Sequence, residues 1–192
     1  MVGVRLTNGH NELLLANRNG RAVRFDEADI RSMGRVSTGV IGMRVDEGDD
    51  EVVGMVCVND PQTETIMVVS ENGYGKRSEV EDYRKTARGA KGVKTLAITE
   101  KTGRLVAIKV VTDENDLMII NKSGILIRLK VADVRVMGRA TQGVRLINLT
   151  KKNDTIASVC KVMSSQDEDI EEAEVAEDAP ENTDEAPIID VE

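Results

Sequence analysis

Short apolar runs, rich in Val, Ile, Leu and Met, alternate along this chain with turns built on Gly and Asn. ELLLAN (12–17) leads through Arg18-Asn19-Gly20 into RAVRF (21–25), whose polarity alternates. A loop of about a dozen residues then reaches Gly39. VIGMRV (40–45) reads as a third strand, DEGDD (46–50) as a turn and EVVGMVCV (51–58) as a fourth strand. Short β-branched runs bounded by such turns predict antiparallel hairpins. No apolar period near 3.6 is present, so a helical solenoid is excluded.

The pattern recurs three times without internal gaps, over about 12–64, 65–115 and 116–163. Gly20, Gly73 and Gly124 correspond at spacings of 53 and 51, as do Gly39, Gly92 and Gly143. Three arginine sets keep the same spacings: Arg24, Arg77, Arg128; Arg31, Arg84, Arg135; and Arg35, Arg88, Arg139. Asp29, Asp82 and Asp133 form another set. Four short antiparallel strands repeating about every fifty residues predict propeller blades. The first residues, MVGVRLTNGHNELL, align on LVAIKVVTDENDLM (105–118), so 1–6 is expected to be the last strand of a preceding repeat. The expected fold is thus all-β: a partial β-propeller or β-pinwheel of about three four-stranded blades plus a leftover strand.

Charge divides the chain in two. Thirteen of the 34 acidic residues and none of the 26 basic ones lie in 164–192. That leaves 21 acidic against 26 basic in 1–163, a net of +5 under an overall −8. The tail is expected to be disordered, because like charges with few large apolar residues bury too little surface to offset ordering entropy. It reads either as a solubilising end or as a DNA mimic competing for a basic surface. Aromatic residues make up 2% of the chain, so the core must be aliphatic. No apolar run approaches the roughly 18–20 residues that span a bilayer, and the N-terminus lacks a signal-peptide pattern. Cys57 and Cys160 lie in no ligand-spaced motif and read as buried thiols of a reducing cytoplasm.

Nine arginines at three equivalent positions per repeat predict a basic track around a curved outer edge. A guanidinium pairs bidentately with phosphate, and a duplex presents phosphates in a regular line. The expected DNA contacts are Arg24, Arg31, Arg35, Lys76, Arg77, Arg84, Arg88, Lys91, Arg128, Arg135 and Arg139, with Lys85, Lys94, Lys122 and Lys130 extending the track. The competing reading is structural: an arginine beside a matched aspartate, as Arg31 beside Asp29, pairs and holds its loop. Scarce aromatics argue against base stacking on single strands or RNA, and favour duplex backbone contact. Tyr83 matches Ile30 and Val134 and reads as core.

Chemistry finds no support in the pattern. His10 is the only histidine and lies in a polar turn; no triad, metal-ligand cluster or phosphate-binding loop occurs. No catalytic residue, metal site or cofactor is expected. A protein-interaction scaffold is the alternative from another class, against which stand a period longer than that of WD40 repeats and the absence of Trp.

ENGYGKRSEVEDY (71–83) resembles the C-terminal repeat of the gyrase A family, where a similar NGYGKR segment recurs. MGRVSTGVIGMRV (33–45), RGAKGVKTL (88–96) and MGRATQGVRLI (137–147) resemble its R-x-x-x-G-V element. The resemblance covers about 1–163, and the acidic ending is similar too. It implies a β-pinwheel whose blades exchange strands and whose rim wraps duplex DNA. The implied partners are the rest of the gyrase A protein and the gyrase B protein, in a cytoplasmic, nucleoid-associated enzyme that introduces negative supercoils with ATP. The family's basic glycine-rich box has no counterpart here, and its active-site tyrosine belongs to a region that nothing here matches. The related A protein of topoisomerase IV has similar, more degenerate repeats and is the alternative family.

Overall fold

The computed structural model describes residues 2–149 and 154–164. Its first repeat contains β1 (Glu12–Asn17), β2 (Arg21–Asp26) and β3 (Val52–Val58). The second contains β4 (Thr65–Ser70), β5 (Tyr74–Glu79), β6 (Val93–Lys94) and β7 (Leu105–Val111). The third contains β8 (Asn115–Asn121), β9 (Leu126–Lys130), β10 (Val144–Arg145) and β11 (Ile156–Met163). All pairings among these strands are antiparallel.

Each hairpin turn is tied by a buried polar side chain. Asn17 Oδ1 accepts from the Arg21 amide at 2.7 Å, and Asn121 Oδ1 from the Ile125 amide at 2.6 Å. In the second repeat, Ser70 Oγ donates to the Tyr74 carbonyl at 3.1 Å. A buried polar group kept satisfied in this way fixes the turn without a desolvation loss.

The blades are stitched to one another. The first sheet has the order β3-β1-β2-β6 and the second β7-β4-β5-β10, so each takes its fourth strand from the following repeat. Arg21 and Ala22 pair with Lys94 and Val93; Tyr74 and Gly75 pair with Arg145 and Val144. The third sheet, β11-β8-β9, has three strands among the described residues. The expectation of a third strand inside its own blade is therefore corrected. β6 and β10 complete their neighbours, and residues 40–45 form no strand; Met43 makes a single parallel bridge to Ala90. Residues 2–7 also carry no strand, contrary to expectation. A strand exists only by pairing, and among the described residues nothing pairs with them.

Period-two alternation puts both faces of the middle blade to use. Ile66 and Val68 of β4 pack with Leu14 and Val56 of the first blade. Met67 and Val69, on the opposite face, pack with Leu117 and Ile119 of the third. Tyr83 is fully buried in the first of these clusters, as its aliphatic counterparts foretold. The thiols depart from expectation: Cys57 is half-buried and Cys160 exposed, the latter on β11. The acidic tail beyond Ser164 lies outside the described residues.

Candidate nucleic-acid interface

Strand order sets an inner and an outer edge. β7 packs against β3 and against β11, so these last strands of each repeat form the inner side. β2, β5 and β9, with the exchanged β6 and β10, lie at the outer side. A 3-10 turn follows each of these (Glu27–Asp29, Val80–Asp82, Val131–Asp133), and the long loops after them carry two of the three arginine sets on the outer edge.

The first set does not lie on that surface. Arg24 is 4% exposed. Its Nη1 donates to the carbonyls of Val80 and Tyr83 at 2.9 and 3.0 Å, its Nε to Glu12 at 2.5 Å and its Nη2 to Glu81 at 2.9 Å. Arg77 is also buried; its Nε donates to the Val134 carbonyl at 2.5 Å and its Nη1 to Asp113. Each guanidinium thus clamps the 3-10 turn and loop of the next repeat, 56 to 59 residues away. Burial opposes ionisation of Glu12, but hydrogen bonds from Arg24 and Lys85 outweigh it and hold the carboxyl below its ordinary range. Arg128, whose side chain is 45% exposed, pairs with Asp116 at 2.6 Å. As DNA contacts Arg24 and Arg77 are corrected: both guanidinium groups are buried and engaged with carbonyls and carboxylates of the protein.

Lys76 is corrected for the same reason. It is completely buried, with Nζ donating to the Gly138 carbonyl at 2.7 Å, and burial pushes its ammonium down to about 8. Lys91 is exposed but paired with Asp46 at 2.5 Å, and Lys85 is bound between Glu12 and Asp26.

The other two sets remain at the rim. Arg31, Arg84 and Arg135 are all exposed, each two residues after its 3-10 turn. Asp29 does not tie Arg31; its backbone carbonyl instead accepts from Arg88 Nε at 3.1 Å. Arg88 Nη1 reaches the Ile41 carbonyl at 3.2 Å. Arg139 repeats this geometry, with Nε on Asp82 O at 2.9 Å and Nη1 on Lys94 O at 2.8 Å. Arg35, the first member, is exposed. Arg88 and Arg139 therefore staple neighbouring loops while keeping part of each guanidinium at the surface.

One polar corner escaped the sequence reading. Tyr74 Oη accepts from Arg145 Nη2 at 2.9 Å, and Lys101 Nζ lies 5.5 Å from the ring centroid. With Asn72, Glu100 and Asp154 these line a groove of mixed charge and about 280 Å³. The signal was the single Arg after the third R-x-x-x-G-V element, which the other repeats do not share. Among the described residues no group of three His, Cys, Asp or Glu is placed to hold a metal ion, and no helix is long and apolar enough to cross a membrane.

Against known proteins, the family described as DNA gyrase C-terminal domain, beta-propeller, matches residues 11–59, 64–112 and 115–160. The DNA gyrase A protein of Staphylococcus aureus (strain MRSA252) is 44% identical over 192 residues, covering 99% of this chain and 21% of that protein. The chain thus spans about a fifth of the length of the curated relatives it matches. Among solved structures, the C-terminal domain of DNA topoisomerase IV superposes with a TM-score of 0.78 at 29% identity, covering 84% of this chain and 50% of that one. The DNA gyrase A C-terminal domain superposes with a TM-score of 0.73 at 28% identity, covering 80% and 51%. The three matched segments fall on the three repeats, and the chain belongs to the family of DNA gyrase C-terminal domains with the β-propeller fold.

Proposed function

We propose that this chain binds duplex DNA along its outer edge and bends it, as the later part of the C-terminal domain of a gyrase A protein. The observation that carries the reading is the threefold repetition of exposed guanidinium groups, Arg31, Arg84 and Arg135, at equivalent points of the rim. Arg35, Arg88 and Arg139 flank them and supply further positive charge. Contacts to backbone phosphates position a duplex without reading its sequence, and a bend is repaid by the further contacts it permits.

In the intact assembly this surface works with the remainder of the gyrase A protein and with the gyrase B protein, in the cytoplasm at the nucleoid. Strand passage and ATP use belong to those other parts, and the rim supplies the wrapped segment that sets the sign of supercoiling. The gyrase reading is favoured over topoisomerase IV by a gyrase relative 44% identical across 99% of the chain; the two structural likenesses differ by a single percentage point in identity.

The test is duplex binding across a salt series, comparing the parent chain with the Arg31→Ala, Arg84→Ala, Arg135→Ala triple variant. Each phosphate contact contributes about 0.9 to the slope of log K against log salt. Loss of three contacts flattens the slope by roughly 2.7. An unchanged slope and affinity would overturn the assignment and turn attention to a protein-binding role.

A further inference from the structure

β5 departs from its counterparts at two places. Lys76 stands where β2 has Val23 and β9 has Ile127, and Ser78 stands where they have Phe25 and Leu129. Both polar side chains are fully buried. Taking an ammonium out of water is costly, and an apolar residue serves at the matched positions, so packing alone does not account for Lys76.

Both side chains reach the rim loop of the third repeat. Lys76 Nζ donates to the Gly138 carbonyl at 2.7 Å and Ser78 Oγ to the Met137 carbonyl at 2.8 Å. Between them, Arg77 Nε donates to the Val134 carbonyl at 2.5 Å, and the Arg77 carbonyl accepts from the Met137 amide at 2.9 Å. Successive side chains of a strand point to opposite faces, so this loop is gripped from both faces of β5. Arg135 lies within the gripped stretch, and Arg139 follows Gly138 directly.

The joint between the first and second repeats is gripped on one face alone. Arg24 holds the Val80 and Tyr83 carbonyls, and its own carbonyl accepts from the Thr86 amide at 2.8 Å. Val23 and Phe25 have no polar hydrogen to donate to the carbonyls of Thr86 and Ala87, the counterparts of Met137 and Gly138. Nor does the Gly138 carbonyl need Lys76 as its partner. It also accepts from the Thr141 amide at 3.2 Å and from Thr141 Oγ1 at 2.9 Å. The ammonium is thus an added donor on a carbonyl already served, and what it contributes is the loop's position.

We propose that Lys76 is a positioning residue of the rim. From inside the blade, and with Ser78 beside it, it sets the third-repeat loop so that Arg135 and Arg139 are in place before a duplex arrives. The matched loop carrying Arg84 and Arg88 lacks these two ties and adjusts on contact. A segment fixed in advance loses less conformational freedom on binding, so the tie raises affinity without touching a phosphate. The rim then has a stiff contact next to an adaptable one, although the arginines of the two repeats are matched in spacing. This inference rests on the reading of the rim as a duplex-binding surface.

The test is a double-mutant cycle on the full chain, read by duplex binding across a salt series. Lys76→Met keeps most of the buried stem and removes the donor. It is expected to weaken binding roughly three- to tenfold at every salt concentration, with the slope of log K against log salt unchanged. A lost phosphate contact would instead flatten that slope by about 0.9. In an Arg135→Ala, Arg139→Ala background Lys76→Met has no further effect, whereas in an Arg84→Ala, Arg88→Ala background it keeps its full effect. Hydrogen exchange without DNA supplies the second readout: the Met137 and Thr141 amides exchange faster in Lys76→Met, and the Thr86 amide does not. Ser78→Ala, which removes only a hydroxyl, shows the same signature at smaller size and stands in if Lys76→Met fails to fold. Binding equal to the parent in these variants, or a Lys76 effect of the same size in both arginine backgrounds, overturns the proposal while leaving the rim reading intact. A parent chain indifferent to Arg135→Ala, Arg139→Ala would sink the rim reading and this inference with it.

Discussion

The Arg24 guanidinium and the Tyr83 carbonyl meet at 3.0 Å across the boundary between the first two repeats. The same group also takes the Val80 carbonyl and the carboxylates of Glu12 and Glu81. One buried fork therefore joins a strand of one blade to the turn of the next. Arg24→Ala is expected to cost about 2–4 kcal/mol in urea unfolding, because it strands two carbonyls and leaves the half-buried Glu12 carboxylate with Lys85 alone. Arg24→Lys recovers less than half, since an ammonium on a flexible stem cannot reach all four partners at once. Arg31→Ala, at the exposed rim, stays within about 0.5 kcal/mol of the parent. Equal losses at Arg24 and Arg31 would refute this division of roles.

Gly92→Ala tests the exchanged strand itself. The added methyl would sit 2.5 Å from the Ala22 carbonyl oxygen at a φ of +80. Backbone has to move, and the expected loss is about 2–3 kcal/mol. Gly39→Ala meets no neighbour among the described residues and carries the φ term alone, about 1 kcal/mol. Thermal unfolding of the two variants side by side measures the difference.

Lys76 gives stability a pH dependence on the alkaline side. Its folded pKa of about 8 lies below its ordinary value of 10.5. Between these two the unfolded chain holds more protons than the folded one, so stability rises with pH across that window. The gain is on the order of 1–3 kcal/mol, complete above 10.5 and lost as pH falls through 8. Tyr83, pushed up to about 12 by burial, acts in the opposite sense from pH 10 upward, which confines a clean measurement to pH 8–10. Lys76→Met should flatten the rise in unfolding midpoint over that range. A parent chain with no rise would show that the buried ammonium is better solvated than its surroundings indicate.

Tyr83 Oη and Thr95 Oγ1 share a hydrogen bond of 2.5 Å inside the core. Tyr83→Phe is expected to cost about 1–2 kcal/mol through the orphaned Thr95 hydroxyl, and to abolish the phenol ionisation near 12 in an absorbance titration. Duplex binding is unchanged in this variant, because the ring faces no solvent.

Most of the architecture is written in local pattern. Matched glycines, the hairpin turns and the burial of Tyr83 follow from spacing and from the aliphatic residues at equivalent positions. The exchange of β6 and β10 does not. Alternation in a segment such as RGAKGVKTL marks a strand, but nothing local says whether its partner is 20 residues back or 71. The arginine sets divide on the same ground. RAVRF looks half-exposed by alternation, yet an exchanged strand and the next repeat's turn cover it, and four of its residues are buried. The carbonyls that hold Arg24 carry no side-chain signature at all. A faint clue was Glu12, twelve residues before Arg24 as Asp116 is before Arg128, but Thr65 interrupts the series and Arg77 takes Asp113 instead. Arg31, Arg84 and Arg135 were legible because nothing folds over them.

The borrowed fourth strand also imposes an order in time. Arg21 finds the carbonyl of Gly92 only 71 residues further along the chain. As synthesis proceeds, the first blade has its hairpin long before its outer strand exists, and the same delay passes to the second blade. The growing chain thus always trails one unfinished sheet behind the newest repeat, and finishing it is the act that fastens that repeat to the last. A nascent-chain stall before residue 92 should leave β2 open to hydrogen exchange, and a stall past 96 should close it.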